Sequence, residues 1–201
     1  EALTVLLLDS TEKWGGFTSM SGGRIWVPNN PLMRRAGAGD SRDEALAYME
    51  ATIGTPSASA SPERKAAFVD GIDDFVETAE RFGITFARAA DYPDYYPELP
   101  GGKIGRGIEV KPLDSKILGT WWDSLLGAIP IPAKTDDVWL LGRAWSTPGG
   151  FVRGAKFVFR ALGGVVTGKR LTGIGAAWST AFGKTLMVDN NVPLWLESPL
   201  V

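Results

Sequence analysis

The chain contains no cysteine and no histidine. Without thiols there is no disulfide, no thiolate metal site and no cysteine nucleophile, and the redox compartment stays open. Without imidazole there is no Ser-His catalysis and no His-ligated zinc. Excess charge of one sign is missing too. The 21 Lys and Arg against 23 Asp and Glu leave a net −2, which gives no electrostatic case for nucleic acid, a partner that wants a concentrated basic face. The longest apolar run, ending at Leu8, is strand-sized, well short of the roughly 18–20 residues of a membrane helix. Chemistry therefore falls to tyrosines, carboxylates, hydroxyls, backbone amides or a bound cofactor.

What is present describes a core-forming chain, 201 residues long and 44% hydrophobic, about the size of one ordinary domain. Residues 2–8 are an apolar run, interrupted at Thr4 alone and followed by Asp9, the pattern of a buried parallel strand. No basic region or initiator Met precedes it, so no secretory signal is read, and the pattern is that of a chain entered mid-fold. Residues 14–23 are too glycine-rich for a regular helix interior. Residues 24–31 read as extended, because each proline turns its predecessor away from helical angles.

Ser41-x-x-Glu44 is a capping box opening a helix that Gly54 closes. Ser61 and Pro62 open another, reaching Gly83. There Val69, Ile72, Val76 and Ala79 hold an apolar stripe that Phe68, Phe75 and Phe82 widen. Residues 55–60 read as a linker, 84–86 as a short strand, and 91–112 as an ordered loop of Tyr, Pro and Gly. A helix carrying Trp121 and Trp122 is expected within 113–126, and residues 127–148 read as irregular. Over 151–162, Phe151, Ala155, Val158 and Leu162 face away from Arg153, Lys156 and Arg160. That basic amphipathic pattern suits either a core-packed surface helix or one lying on a membrane. A helix over 174–187 then leads to a strand over 193–196. Trp121, Trp122, Trp139 and Trp145 are read as packing residues.

Three features carry candidate chemistry. Asp9 ends its strand where dinucleotide-binding folds place an acid for the ribose hydroxyls, although a solvated turn residue gives the same pattern. The doublets Gly15-Gly16 and Gly22-Gly23 let a ligand approach the main chain, or make a flexible surface loop. Tyr95 and Tyr96 form a pair in which one phenol can stabilise the other's phenolate, or two half-buried aromatics with wet hydroxyls.

In this order, the strand, the acid, Gly-Gly, Ser-Gly-Gly and then Ile-Trp-Val-Pro-Asn-Asn resemble the FAD-binding region of the fumarate reductase and ketosteroid dehydrogenase superfamily. The run from Trp26 to Met33, Gly39-Asp-Ser-Arg-Asp-Glu, Asp94-Tyr-Tyr-Pro-Glu-Leu-Pro-Gly-Gly and Gly105-Arg-Gly-Ile-Glu-Val are similar to the steroid branch, the 3-ketosteroid Δ1-dehydrogenases. The resemblance implies a helix-rich α/β fold, part of a Rossmann-like FAD-binding domain with a helical insertion. Residues 1–30 would form the FAD-binding strand and glycine loop, 31–165 the insertion lining the substrate site, and 166–201 the return to the FAD domain. It implies non-covalent FAD contacted by Asp9, Gly15, Gly16, Thr18, Ser19, Ser21, Gly22 and Leu200. Tyr95 would line the active site and hydrogen-bond the catalytic base, with Tyr96 at the substrate. The family usually has Glu at the place of Asp9 and Thr or Ser at that of Phe17.

The function so implied is dehydrogenation of a small apolar, ketosteroid-like substrate, with hydride passing to flavin N5 and an unspecified electron acceptor. No metal, nucleic acid or integral membrane span is expected. The location expected is cytoplasmic, with peripheral membrane contact as the alternative. The base and the carbonyl-polarising group are expected outside this chain, leaving the isolated chain inactive. Two rivals stand beside this reading. One is a fumarate-reductase-like flavoenzyme, disfavoured by the lack of histidine. The other is a non-catalytic protein binding an apolar ligand through its tryptophans.

Overall fold

Ser41 opens its helix as the spacing predicts, over Arg42–Ile53 (α3 in chain order), and its hydroxyl accepts from the Glu44 amide at 3.2 Å. The reciprocal half of the capping box is altered. The Ser41 amide donates to Asp40 at 2.9 Å, and Glu44 accepts from the Ser41 hydroxyl instead. The computed structural model describes residues 4–127 and 129–200, without the side chains of Trp139 and Leu140. It has two compact units, Arg24–Glu109 and the combination of Glu1–Gly23 with Val110–Val201. Both are built mainly of helices with short strands, the helix-rich α/β class expected.

In the first unit α3 is joined by α2 (Pro31–Arg35), α4 (Pro62–Asp70) and α5 (Ile72–Arg81). The single helix expected from Ser61 is divided at Gly71, whose amide closes α4 on Ala67 while its carbonyl starts α5. The apolar stripe survives the break, since Val69, Ile72, Val76 and Ala79 are buried. Phe68, Phe75 and Phe82 stay exposed at its margin. A three-stranded sheet in the order β2 (Ile25–Trp26), β4 (Gly107–Val110), β3 (Phe86–Arg88) completes the unit. Trp26 packs on the cluster of Ala45, Met49 and Val69.

In the second unit β1 (Leu7–Leu8) pairs in parallel with β7 (Leu194–Trp195). The strand is thus parallel as expected but shorter. It is not buried, because Val5, Leu6 and Leu8 are exposed. Parallel strands become buried when both faces are covered, and here the strand pairs with β7 alone among the described residues. The glycine-rich stretch contains a short helix, α1 (Gly16–Met20). Trp14, Leu118, Trp122, Leu125 and Met187 form the core, with Trp121 packed against it. Ser115–Trp122 is a 3-10 segment broken at Gly119. Trp145 is exposed, and the Trp139 side chain lies outside the described residues.

The region expected to be irregular holds α6 (Thr135–Leu141). It is tied to α7 (Pro148–Val166) by Arg160, whose guanidinium donates to Asp137 and to Pro132 O. An antiparallel pair, β5 (Leu113–Asp114) with β6 (Leu171–Thr172), precedes the buried helix α8 (Ile174–Gly183). A π-helical turn, Lys184–Asp189, extends α8. No helix among the described residues is long and apolar enough to cross a membrane.

Candidate functional site

At the end of the parallel pair, the Asp9 amide donates to Trp195 O at 2.9 Å and the Ser198 amide donates to Asp9 O at 2.8 Å. The turn after β1 therefore lies beside the segment carrying Leu200, a residue 87% exposed. One oxygen of the Asp9 carboxylate accepts from the amide and hydroxyl of Thr11, at 2.9 and 2.8 Å.

The glycine loop is held from inside. Trp14 exchanges backbone hydrogen bonds with Ser124 and Leu126, and its indole donates to Trp121 O at 2.9 Å. Gly15 follows at φ 99, where a Cβ would come within 2.7 Å of Leu125 Cδ1. Ser19 is buried, its hydroxyl 2.5 Å from Leu126 O. The outer face is open. A Cβ at Gly16 or Gly22 would meet nothing within 4 Å. Thr18 and Ser21 are exposed, and Phe17 is 91% exposed. The Ser21 hydroxyl donates to Thr18 O at 2.8 Å and accepts from the Gly23 amide at 3.1 Å.

Behind α1 lies α8, at a distance only glycine permits. A Cβ on Gly175 would sit 2.1 Å from Thr18 O, and one on Gly23 would sit 2.2 Å from the Ile174 carbonyl carbon. The Gly175 amide donates to Ser21 O at 3.0 Å, and the Trp178 indole donates to Gly23 O. Ile174 sits at φ 45, a conformation costly for a β-branched residue and one that surrounding structure must enforce. Its amide is held by Ala133 O at 3.2 Å.

In the other unit, Tyr95 and Tyr96 stand 79% and 55% exposed on the loop before β4. Their position is fixed by the residue before them. Asp94 accepts from the Trp26 indole at 2.8 Å, from the Lys103 amide at 3.0 Å and from Arg106 Nη1 at 3.0 Å. Arg106 also forks onto Asp40, at 2.9 Å through Nε and 2.7 Å through Nη2. The side chains of Arg106 and Asp40 are 0% exposed. Burial alone would raise the Asp40 carboxyl, but hydrogen bonds from Arg106, Asn29 and Ser41, with the charge of Arg106, hold it below the ordinary carboxylate range. The Tyr48 hydroxyl accepts from the Tyr96 amide at 3.1 Å. A cavity of about 230 Å³ opens beside this loop, walled by Trp26, Tyr48, Met49, Ile53, Tyr95 and Tyr96, with Arg24, Thr52 and Asp94.

Residues 1–184 match the family described as FAD binding domain. The chain belongs to that FAD binding domain family. A 3-oxosteroid 1-dehydrogenase of Mycolicibacterium smegmatis is 33% identical over 184 residues, covering 88% of this chain and 32% of the relative. One from Mycobacterium tuberculosis is 31% identical over 182 residues, with 87% and 32% covered. Among solved structures, the 3-ketosteroid Δ1-dehydrogenase of Sterolibacterium denitrificans, in complex with 1,4-androstadiene-3,17-dione, superposes with a TM-score of 0.81 at 28% identity. That match covers 98% of this chain and 36% of that one. The chain thus spans about a third of the length of these relatives.

FAD is the cofactor of this family, and the open face of the glycine loop fits it. At Gly16 and Gly22 the main chain is bare, so an elongated ligand can lie directly against it. Exposed hydroxyls at Thr18 and Ser21 and the exposed apolar Phe17 and Met20 share that short stretch, matching a cofactor with polar and apolar parts. Sequence reading missed Arg24, Asp40, Arg106, Ile174 and Gly175. Arg106 gave one usable signal, an arginine between two glycines in an otherwise apolar strand approach. Ile174 gave none, because nothing about isoleucine forecasts a left-handed backbone.

Proposed function

We propose that this chain carries part of the cofactor site and the substrate-facing tyrosines of an FAD-dependent dehydrogenase acting on a 3-ketosteroid-like ring. The observation that carries the reading is Tyr95–Tyr96, presented beside an apolar cavity by the buried Asp40–Arg106–Asp94 network. Residues 1–30 and 166–201 then serve the cofactor, and 31–165 form the insertion beside the substrate. Asp9 accepts from ribose hydroxyls, and the main chain of Leu200 lies by the adenine. Gly15, Gly16, Thr18, Ser19, Ser21 and Gly22 line the remainder of the cofactor, with Ser19, whose hydroxyl and amide are both engaged inside, holding the loop to Leu126 and Gly15.

Bound FAD supplies the hydride acceptor, at flavin N5. Tyr95 hydrogen-bonds and orients the base that takes the proton next to the carbonyl, and that base comes from elsewhere in the whole protein. Tyr96 packs on the substrate, and Asp94 keeps both tyrosines in place. The isolated chain accordingly does not turn over. The reading places the protein in the cytoplasm. Exposed Phe159, Val165 and Val166 on α7 support contact with a membrane surface.

The test is Tyr95→Phe in the whole protein, assayed on a 3-ketosteroid with an artificial electron acceptor. We expect kcat to fall about 100-fold with the flavin spectrum unchanged. Undiminished turnover removes Tyr95 from the mechanism.

A further inference from the structure

Arg24 lines the cavity beside Tyr95 and Tyr96. Its guanidinium carbon lies 3.9 Å from the centre of the Tyr92 ring and 5.5 Å from that of Tyr95. Its stem crosses Gly107, where a Cβ would come within 2.5 Å of Arg24 Cδ. Glycine at that place leaves the arginine room to lie flat. Nη1 is buried with no hydrogen-bond partner. The carboxylate in the same wall, Asp94, makes its hydrogen bonds to Arg106, Trp26 and the Lys103 amide instead.

A guanidinium is always charged, and here one of its nitrogens is out of water with no hydrogen-bond partner, a cost that a ligand oxygen would remove. The rest of the wall is apolar or aromatic, including Trp26, Met49 and Ile53, apart from Thr52, whose hydroxyl donates to Tyr48 O. At about 230 Å³ the cavity is smaller than the roughly 300–1,000 Å³ taken by whole drug-sized ligands. It suits a single ring or one end of a larger molecule. We propose that this cavity is a carboxylate subsite, in which Arg24 receives the carboxylate of a substrate whose apolar ring lies against Trp26 and Met49. The proposal rests on the reading of Tyr95 and Tyr96 as substrate-facing, and it names the substrate class as a ring ketone that also bears a carboxylate.

The test is calorimetric titration of the full chain with cyclohexanecarboxylate and with its uncharged methyl ester. The acid is expected to bind about tenfold or more tightly than the ester. Arg24→Gln should bring the two to equal affinity while leaving ester binding and the thermal melt unchanged, and Arg24→Lys should keep part of the preference. Equal binding of acid and ester to the unaltered chain, binding of neither, or a preference that survives Arg24→Gln would overturn the proposal. The measurement needs no flavin and no turnover. A protein inactive on 3-ketosteroids but selective for the acid would sink the proposed function alone, and the converse result would sink only the subsite.

Discussion

Arg106 stands between two carboxylates with all three side chains out of water. Removing the cation leaves the other two charges buried and facing each other, so Arg106→Met should destabilise its unit by about 3–5 kcal/mol. Urea unfolding followed by tryptophan fluorescence would measure the loss, and a loss under about 1 kcal/mol would mean the network is worth no more than a surface ion pair. The same triad sets a pH dependence. Asp40 titrates below its ordinary range in the folded chain, so its stabilisation is complete above the unfolded carboxyl value, near about 3.9. It is lost as pH falls through the lower folded value. Asp40→Asn should flatten the acid limb of the stability curve, and an unchanged limb would show that other carboxylates set it. None of this pairing was legible in the sequence, because 66 residues separate Asp40 from Arg106 and no local pattern links them.

The elements divide by how local their causes are. α3 was readable from Ser41 and Glu44, and the stripe of α4 and α5 from its spacing, because caps and periodicity act within a few residues. The break at Gly71 and the short helix α1 were not readable. Tertiary contacts decide them, and glycine propensity argued the other way at α1. The contact between α1 and α8 yields a paired prediction. Gly175→Ala drives a methyl into two main-chain oxygens, Thr18 O at 2.1 Å and Ser21 O at 2.6 Å, and should cost about 1–3 kcal/mol. Gly22→Val adds bulk where the chain leaves open space. It should change stability by less than about 0.5 kcal/mol while weakening FAD binding, read by flavin fluorescence. Full FAD affinity in Gly22→Val would mean the cofactor does not pass that face.

At the scale of the whole chain, the sequence motifs pointed to the FAD binding domain family, because glycine doublets and the Asp-Tyr-Tyr run are local strings. The division into two units was less visible, since Arg24–Glu109 is continuous while its companion is assembled from both ends of the chain. That arrangement, together with the Arg106 network, bears on the order in which the protein takes shape. The loop presenting Tyr95 and Tyr96 is fastened through Arg106 to a partner 66 residues away, and distant contacts close late because the intervening chain must be ordered first. The loop that carries the two tyrosines is therefore expected to be among the last parts to consolidate during refolding. Pulsed hydrogen exchange can follow the Lys103 amide, bonded to Asp94, against amides inside α3. Protection of Lys103 as early as that of α3 would refute the order, and later protection would make the tyrosine pair the final piece laid down by the fold.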